Sequence, residues 1–378
     1  MILTNANIVL NNEVVLGSLK IEDGKIQAID TGRVALASAV DCEGGYLMPG
    51  LVELHTDNME KHFTPRPGVA WPGMQAFKVH DAQMISAGIT TVFDAISVGD
   101  VVEESERLTN LSRMADALKE SRARGLTRAD HLLHLRCEVS HQDTLNNFQH
   151  LLEEHPPQLV SIMDHSPGQR QFANLDKYRE YYKGKYKLSD TELEAFIARQ
   201  SEASRLYSAK YRRAISDICL ARGIPLASHD DATSEHVEES LEHGMVIAEF
   251  PTTVEAAREA HRKGMAVMMG APNVVRGGSH SGNVAAHSLA AEGLLDVLSS
   301  DYYPASLLDA AFKLVADERN NYDLPAVMRL VSQNPAQAAG LDDRGEIAIG
   351  KRADLVWCDR LDDHAHIHHV LKDGKRVF

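Results

Sequence analysis

Apolar residues follow two different rhythms along this chain. Before residue 51 and after residue 343 they come as short runs rich in β-branched residues: ILTNANIVL, EVVLGSLKI and KIQAI early, ADLVW, HIHHVL and KRVF late. Asn11-Asn12 and Asp23-Gly24 break the early runs and Asp373-Gly374 the late ones. An Asp-Gly pair between apolar runs marks a tight hairpin. The two ends are therefore expected to pair into one small β domain, residues 1–50 with 344–378, since chain termini commonly lie close together. Between them the rhythm changes. LVELHTD (51–57), TTVFDA (90–95), LLHLRCE (132–138), LVSIMDH (159–165), PLASHDD (225–231), VIAEF (246–250), AVMMGAP (266–272) and DVLSSDYY (296–303) are mostly apolar throughout, and most lead into polar residues and a helical stretch. Runs that are apolar on both faces suit parallel strands covered on both sides, with the helices as crossovers. Eight such units predict an α/β fold, a (β/α)8 TIM-like barrel over 51–343. The absence of an opening GxGxxG speaks against an open dinucleotide-binding sheet.

A length of 378 residues accommodates a barrel of about 250 residues with an accessory domain. A net charge of -15 speaks against duplex nucleic acid or an anionic membrane as partner, because both need a broad basic face. No run approaches the ~20 apolar residues of a membrane helix, and the start of the chain lacks a secretory pattern. Cys42, Cys137, Cys219 and Cys358 are scattered without CxxC spacing, as expected of free thiols in a reducing cytoplasm.

The ionisable residues change the picture from fold to chemistry. Asp57, Asp94, Glu138, Asp164, His165, His229, Asp230, Asp231, Glu249 and Asp301 all fall at or just past the C-terminal ends of the predicted strands. Barrel enzymes build their sites at that end. So many ionisable groups brought together need a cation or substrate to compensate them. His55 and Asp57 stand two apart on one strand and so point to the same face. With Glu138, His165, His229 and Asp301 they form a mixed imidazole–carboxylate set suited to one or two divalent ions, Zn foremost and Mn, Fe or Mg as alternatives. The ordinary alternative for any single member is a hydrogen-bonded strand-end residue, which does not account for the whole set in strand register.

These residues carry a resemblance. GGYLMPGLVELHTD (44–57), ASHDDAT (227–233), DYYP (301–304), NPA (334–336) and GEIAIGKRADLVW (345–357) resemble the amidohydrolase superfamily, in which a split β domain flanks a metal-bearing barrel. The usual first-strand motif there is His-x-His, so Asp57 is a departure. FTPRP (63–67), SIMDHSPGQRQF (161–172), AEFPTT (248–253) and MGAPNVVRGGSHSGN (269–283) narrow the resemblance to a subgroup acting in phosphonate metabolism. That resemblance implies a hydrolase of phosphoric anhydride bonds in organophosphonate catabolism. It would cut a ribose 5-triphosphate phosphonate to its 5-phosphate with release of pyrophosphate, Asp301 holding the attacking water and taking its proton.

Some features fit a polyanionic substrate independently. Gln169 to Leu188 carries six cations (Arg170, Lys177, Arg179, Lys183, Lys185, Lys187) against two acids, net +4, with Tyr178, Tyr181, Tyr182 and Tyr186. A basic aromatic insertion after the fourth strand could close over a polyphosphate and its sugar, with Arg170 and Lys185 as contacts. The ordinary alternative is a solvated amphipathic helix. After strand seven, Arg276 offers a fork for phosphate oxygens, Gly277 and Gly278 could bring backbone N–H groups close, and Ser279, His280, Ser281 and Asn283 add donors before a helix expected near Val284. Lys61, Arg66, Arg136 and Asp230 complete the expected substrate contacts. The run His364–His369 is read as an exposed strand. The rival activities are hydrolysis of a C–N bond, as in a cyclic amidase or deaminase, and a non-catalytic scaffold. The expected setting is cytoplasmic, with a small-molecule substrate, no nucleic-acid or membrane partner, and a homodimer admitted as the assembly.

Overall fold

A computed structural model describes residues 1–101, 106–172, 175–279, 282–362 and 364–378. Asp23 (φ +50°) and Gly24 (φ +76°) both adopt the left-handed conformation that a two-residue hairpin turn requires. They join Val14–Glu22 to Lys25–Thr31 with Glu22 opposite Lys25. Asp373 (φ +49°) and Gly374 (φ +68°) turn His364–Lys372 into Lys375–Arg376 in the same way. The two ends of the chain meet at Tyr46–Pro49, which lies parallel to Ile2–Val9 and antiparallel to Leu355–Leu361. The result is one eight-stranded sheet holding both termini, on a core that includes Ile8, Leu19, Ile26, Leu47 and Leu355. The histidine run forms part of a strand in this sheet, and His368 Nε2 lies 2.8 Å from Asp359 Oδ2.

The second sheet has eight strands hydrogen-bonded in chain order: Leu51–Thr56, Ile89–Val98, Asp130–Glu138, Leu159–Met163, Leu226–His229, Ile247–Glu249, Ala266–Gly270 and Val297–Ser299. A parallel bridge between Thr56 and Asp301 ties the first strand to the segment after the last, and Thr56 Oγ1 donates to the Asp301 carbonyl at 2.7 Å. The first two strands are buried at every position, as expected of parallel strands covered on both faces. The fold is a TIM-like (β/α)8 barrel with a small β domain. Six of the eight strands end earlier than the runs that predict them, the seventh and eighth among these. The seventh stops at Gly270 because Pro272 opens the helix Ala271–Arg276. The eighth stops at Ser299, and Asp301 turns into the left-handed region (φ +54°).

The chain divides into two compact units. One comprises Met1–Asp94, Ala117–Leu132 and Met269–Phe378, with the terminal sheet and the first, second and eighth barrel strands in whole or large part. The other comprises Ala95–Asp116 and Leu133–Met268. In the latter, the 33-residue helix Asp190–Arg222 starts at a reciprocal capping box between Ser189 and Glu192 and ends at Gly223 (φ +66°). Among the described residues, no helix is long and apolar enough to cross a membrane. All four cysteines are free and buried.

Candidate metal centre

Within the second unit, the ends of the third to sixth barrel strands build a donor cluster. His165 follows Leu159–Met163, and its Nδ1 lies 2.6 Å from Glu138 Oε2 at the end of Asp130–Glu138. His229 ends Leu226–His229, and its Nδ1 lies 2.6 Å from Glu249 Oε2. Each glutamate thus fixes one ring nitrogen and leaves Nε2 facing the same carboxylate. Asp230 Oδ2 is 3.6 Å from His165 Nε2 and 3.5 Å from His229 Nε2. These separations are long for direct hydrogen bonds, yet the three donors lie within 4.8 Å of one another. A divalent ion with ligands at about 2 Å can bridge such a gap, so the donor set fits a metal. Burial opposes charge on His165, but the Glu138 carboxylate beside it, with Asp230, raises the imidazole to about 10. Positive charge is what this carboxylate-rich cluster stabilises.

The aim of Asp230 has a backbone cause. Its φ is +59°, its N–H donates to the Glu249 carbonyl at 2.9 Å, and the turn swings its side chain back over the strand ends. Glu138, expected among the ligands, has both oxygens engaged: Ser140 Oγ donates at 2.6 Å and the His165 backbone N–H at 3.2 Å to one, with the imidazole on the other. In this geometry it holds His165. Asp230, expected to contact substrate, stands in the donor cluster with His165 and His229.

In the first unit, His55 and Asp57 occupy the end of Leu51–Thr56, with His55 buried and Asp57 leading into the helix Asn58–Phe63. Glu53, two residues before His55, is fully buried on the same strand, and a carboxylate between Val52 and Leu54 is a signal the sequence carries. It accepts from the His55 N–H at 2.6 Å, from Ser299 Oγ at 2.6 Å and from the Ser300 N–H at 2.5 Å. Burial pushes its carboxyl up to about 7 despite these bonds. Glu53 therefore staples the strand bearing His55 to the segment bearing Asp301. Asp301 sits in the left-handed turn just beyond, with a carboxylate oxygen 3.8 Å from where a Cβ on Gly270 would lie. Lys61 Nζ donates to the Tyr302 carbonyl at 3.1 Å, and Arg66 is exposed.

A second network in this unit centres on Asp94. His80 Nε2 is 2.6 Å from Asp94 Oδ1, and His131 lies between Asp94 Oδ2 (2.8 Å, from Nδ1) and Asp81 Oδ1 (3.2 Å, from Nε2). His80 Nδ1 is 3.0 Å from Asn58 Nδ2, so the network reaches the residue after Asp57. The three groups His80, Asp94 and His131 could hold a metal, but each already has hydrogen-bonding partners in place.

The expected phosphate contacts divide. Gly277 caps the helix Ala271–Arg276 at φ +83°, its N–H donating to Val274 and that of Gly278 to Asn273. Both N–H groups are used in ending that helix. Arg276 is exposed beside the Tyr302 hydroxyl at 3.5 Å. Ser279 follows, His280 and Ser281 lie outside the described residues, and the helix expected near Val284 is Ala286–Ala291. Arg136 is buried on its strand. The aromatic insertion is largely a small core: Tyr178 and Tyr182 pack with Phe172, Leu193 and Phe196. Arg179 and Lys183 pair with Glu194 and Asp190. Lys185 stays exposed over the Tyr181 and Tyr186 rings, 5.3 Å from each. Arg170 is buried between Asp231 and Glu239, not presented to a ligand.

Comparison with known proteins gives three findings. The model of the Amidohydrolase family matches residues 46–377. The chain is 56% identical to alpha-D-ribose 1-methylphosphonate 5-triphosphate diphosphatase of Escherichia coli (strain K12), over 378 residues and 100% of both chains. Among solved structures, N-acetyl-D-glucosamine-6-phosphate deacetylase from Mycobacterium smegmatis is similar over 100% of both chains, with a TM-score of 0.64 and 18% identity. A 5-methylcytosine deaminase from Klebsiella pneumoniae is similar over 100% of this chain and 98% of its own, with a TM-score of 0.60 and 14% identity. At such identities the last two speak to fold.

Proposed function

This chain belongs to the amidohydrolase family, and from that premise we propose that it hydrolyses α-D-ribose 1-methylphosphonate 5-triphosphate to the 5-phosphate and pyrophosphate, a step of organophosphonate catabolism. The observation that carries this reading is the 56% identity spanning both whole chains. A C–N bond as target rests only on likeness of fold to a deacetylase and a deaminase, both below 20% identity. A non-catalytic scaffold leaves the retained donors without a purpose.

The proposed ligands are His55 and Asp57, from their spacing on one strand, and His165, His229 and Asp230, from the geometry of their donors, with Glu138 and Glu249 holding the imidazoles in the tautomer whose Nε2 can coordinate. The metal, one or two ions with Zn foremost, supplies an activated water and charge neutralisation when bound. Asp301 accepts the proton of the attacking water, its carboxylate aimed by the left-handed turn and by the strand staple at Glu53. Lys61, Arg66, Lys185 and Arg276 are the exposed cations proposed to meet the phosphate oxygens. The reading takes 51–343 as the catalytic barrel and 1–50 with 344–378 as the small domain. It places the protein in the cytoplasm, without nucleic-acid or membrane partners, and admits a homodimer.

The test is release of pyrophosphate from the ribose triphosphate phosphonate by Zn-reconstituted protein, with ammonia release from cyclic amides and aminopyrimidines as the rival arm. Asp301→Asn should lower kcat on the order of 10²–10⁴-fold with metal content unchanged. Ammonia without pyrophosphate would overturn the substrate; near-normal turnover in the variant would remove Asp301 from its role.

A further inference from the structure

We propose that Arg170 is a positioning residue for the metal centre, acting with Arg212 through a network of five charges, all buried but the half-exposed Glu239, that fixes the segments bearing His165 and His229-Asp230. The proposal rests on the metal-dependent reading above, but not on the identity of the substrate.

The sequence places Arg170 in a basic run, as a natural phosphate contact. The structure turns it inward. Arg170 is 3% exposed and Arg212 5%. Arg170 pairs through Nη1 with Asp231 Oδ1 and through Nη2 with Glu239 Oε2 at 2.7 Å. Arg212 Nη1 donates to the other oxygen of Glu239 at 2.8 Å, and its Nη2 lies 3.6 Å from Asp164 Oδ2. Two guanidiniums thus stand among three carboxylates, in the order Asp231, Arg170, Glu239, Arg212, Asp164. Both ends of this chain are sequence neighbours of donors: Asp164 precedes His165, and Asp231 follows Asp230.

The backbone shows why such anchoring is needed. Asp230 is left-handed (φ +59°), a conformation that costs free energy for a residue with a Cβ and persists only where the surroundings enforce it. Asp231 is the enforcing residue. Its carboxylate is held by Arg170 and by Ser240 Oγ at 3.2 Å, and its carbonyl accepts the Thr252 N–H at 2.9 Å. Arg170 is itself left-handed (φ +41°), so the chain carries strain at the position that sends this guanidinium inward. Asp164 meanwhile accepts the Ser166 N–H at 3.2 Å, fixing the turn that carries His165. Removing one partner from such a network leaves buried charge uncompensated, and the strained turn is the place where it can relax.

The test uses full-length Arg170→Met, which keeps an unbranched apolar stem without the charged guanidinium, together with Arg170→Lys and Asp231→Asn. Zn2+ affinity is measured by chelator competition on the metal-free protein, and kcat and KM for the triphosphate at saturating Zn2+. Arg170→Met and Asp231→Asn should each bind Zn2+ about 10–100-fold more weakly, with KM changed less than about twofold. Arg170→Lys should recover part of the affinity. Zn2+ affinity within about twofold of wild type in Asp231→Asn or in folded Arg170→Met would overturn the proposal. So would a KM raised about tenfold or more with unchanged Zn2+ affinity, the signature of a phosphate contact. Failure of the substrate assignment alone would leave the Zn2+ measurement intact and readable.

Discussion

Replacing His131 with Gln should remove a part of the protein's stability that depends on pH. His131 is fully buried, with Asp94 on one ring nitrogen at 2.8 Å and Asp81 on the other at 3.2 Å. Burial disfavours its charge, but the two carboxylates outweigh burial and raise the imidazole to about 9 from an ordinary 6.5. The same pairing holds Asp94 down at about 2, so an imidazolium faces carboxylates throughout the neutral range. The folded chain keeps a proton that the unfolded chain releases at pH 6.5. The stabilisation is therefore complete below pH 6.5, shrinks as the pH rises from there, and is gone above about 9. A span of about 2.5 decades at about 1.4 kcal/mol each makes it about 3 kcal/mol. Urea unfolding of wild type and His131→Gln at about pH 6, 7.5, 9 and 10 measures it. Titration of other groups, including those at the metal centre, occurs in both proteins and cancels in the difference. The wild-type advantage should fall by about 3 kcal/mol between the lowest and highest pH. An advantage constant to within about 1 kcal/mol across that range would refute the argument that His131 is charged between Asp94 and Asp81.

Other predictions follow from single contacts. Glu249→Gln, in which the partner of His229 Nδ1 becomes a neutral amide, should weaken Zn2+ binding about 10–100-fold in chelator competition while KM stays near wild type; unchanged affinity would deny Glu249 its part in orienting His229. Gly277→Ala adds a Cβ into open space but at φ +83°, so thermal unfolding should show a loss of about 1–2 kcal/mol with KM for the triphosphate within about twofold. A large rise in KM there would restore the glycines to phosphate binding.

The architecture was legible in the sequence because burial on both faces leaves an unmistakable imprint. Leu51–Thr56 and Ile89–Val98 sit inside the chain at every position, so apolar residues stand on both of their faces and do not alternate strictly with polar ones. The hairpins at Asp23-Gly24 and Asp373-Gly374 were legible because positive φ at adjacent positions restricts the residue types that fit. The ends of strands were read less well. Apolar character continues past Gly270, where Pro272 stops the strand, and the run after Ser299 is cut by the left-handed Asp301.

For the site, the sequence by itself determined which ionisable residues stand at strand ends, because strand period and burial decide that locally. It did not determine which atom each offers or to what. Glu138 and Asp230 look alike as carboxylates after apolar runs, yet one holds His165 by Nδ1 and the other faces Nε2 of both histidines. Arg170 and Lys185 look alike as cations of one basic run, yet one lies inside a charge network and the other over exposed rings. Only tertiary structure decided these cases. Hydrogen-bond direction and the fate of a long side chain depend on partners as far apart in sequence as Arg170 and Glu239, or Glu53 and Ser300, and on backbone turns such as that at Asp230, which no local pattern of residues records.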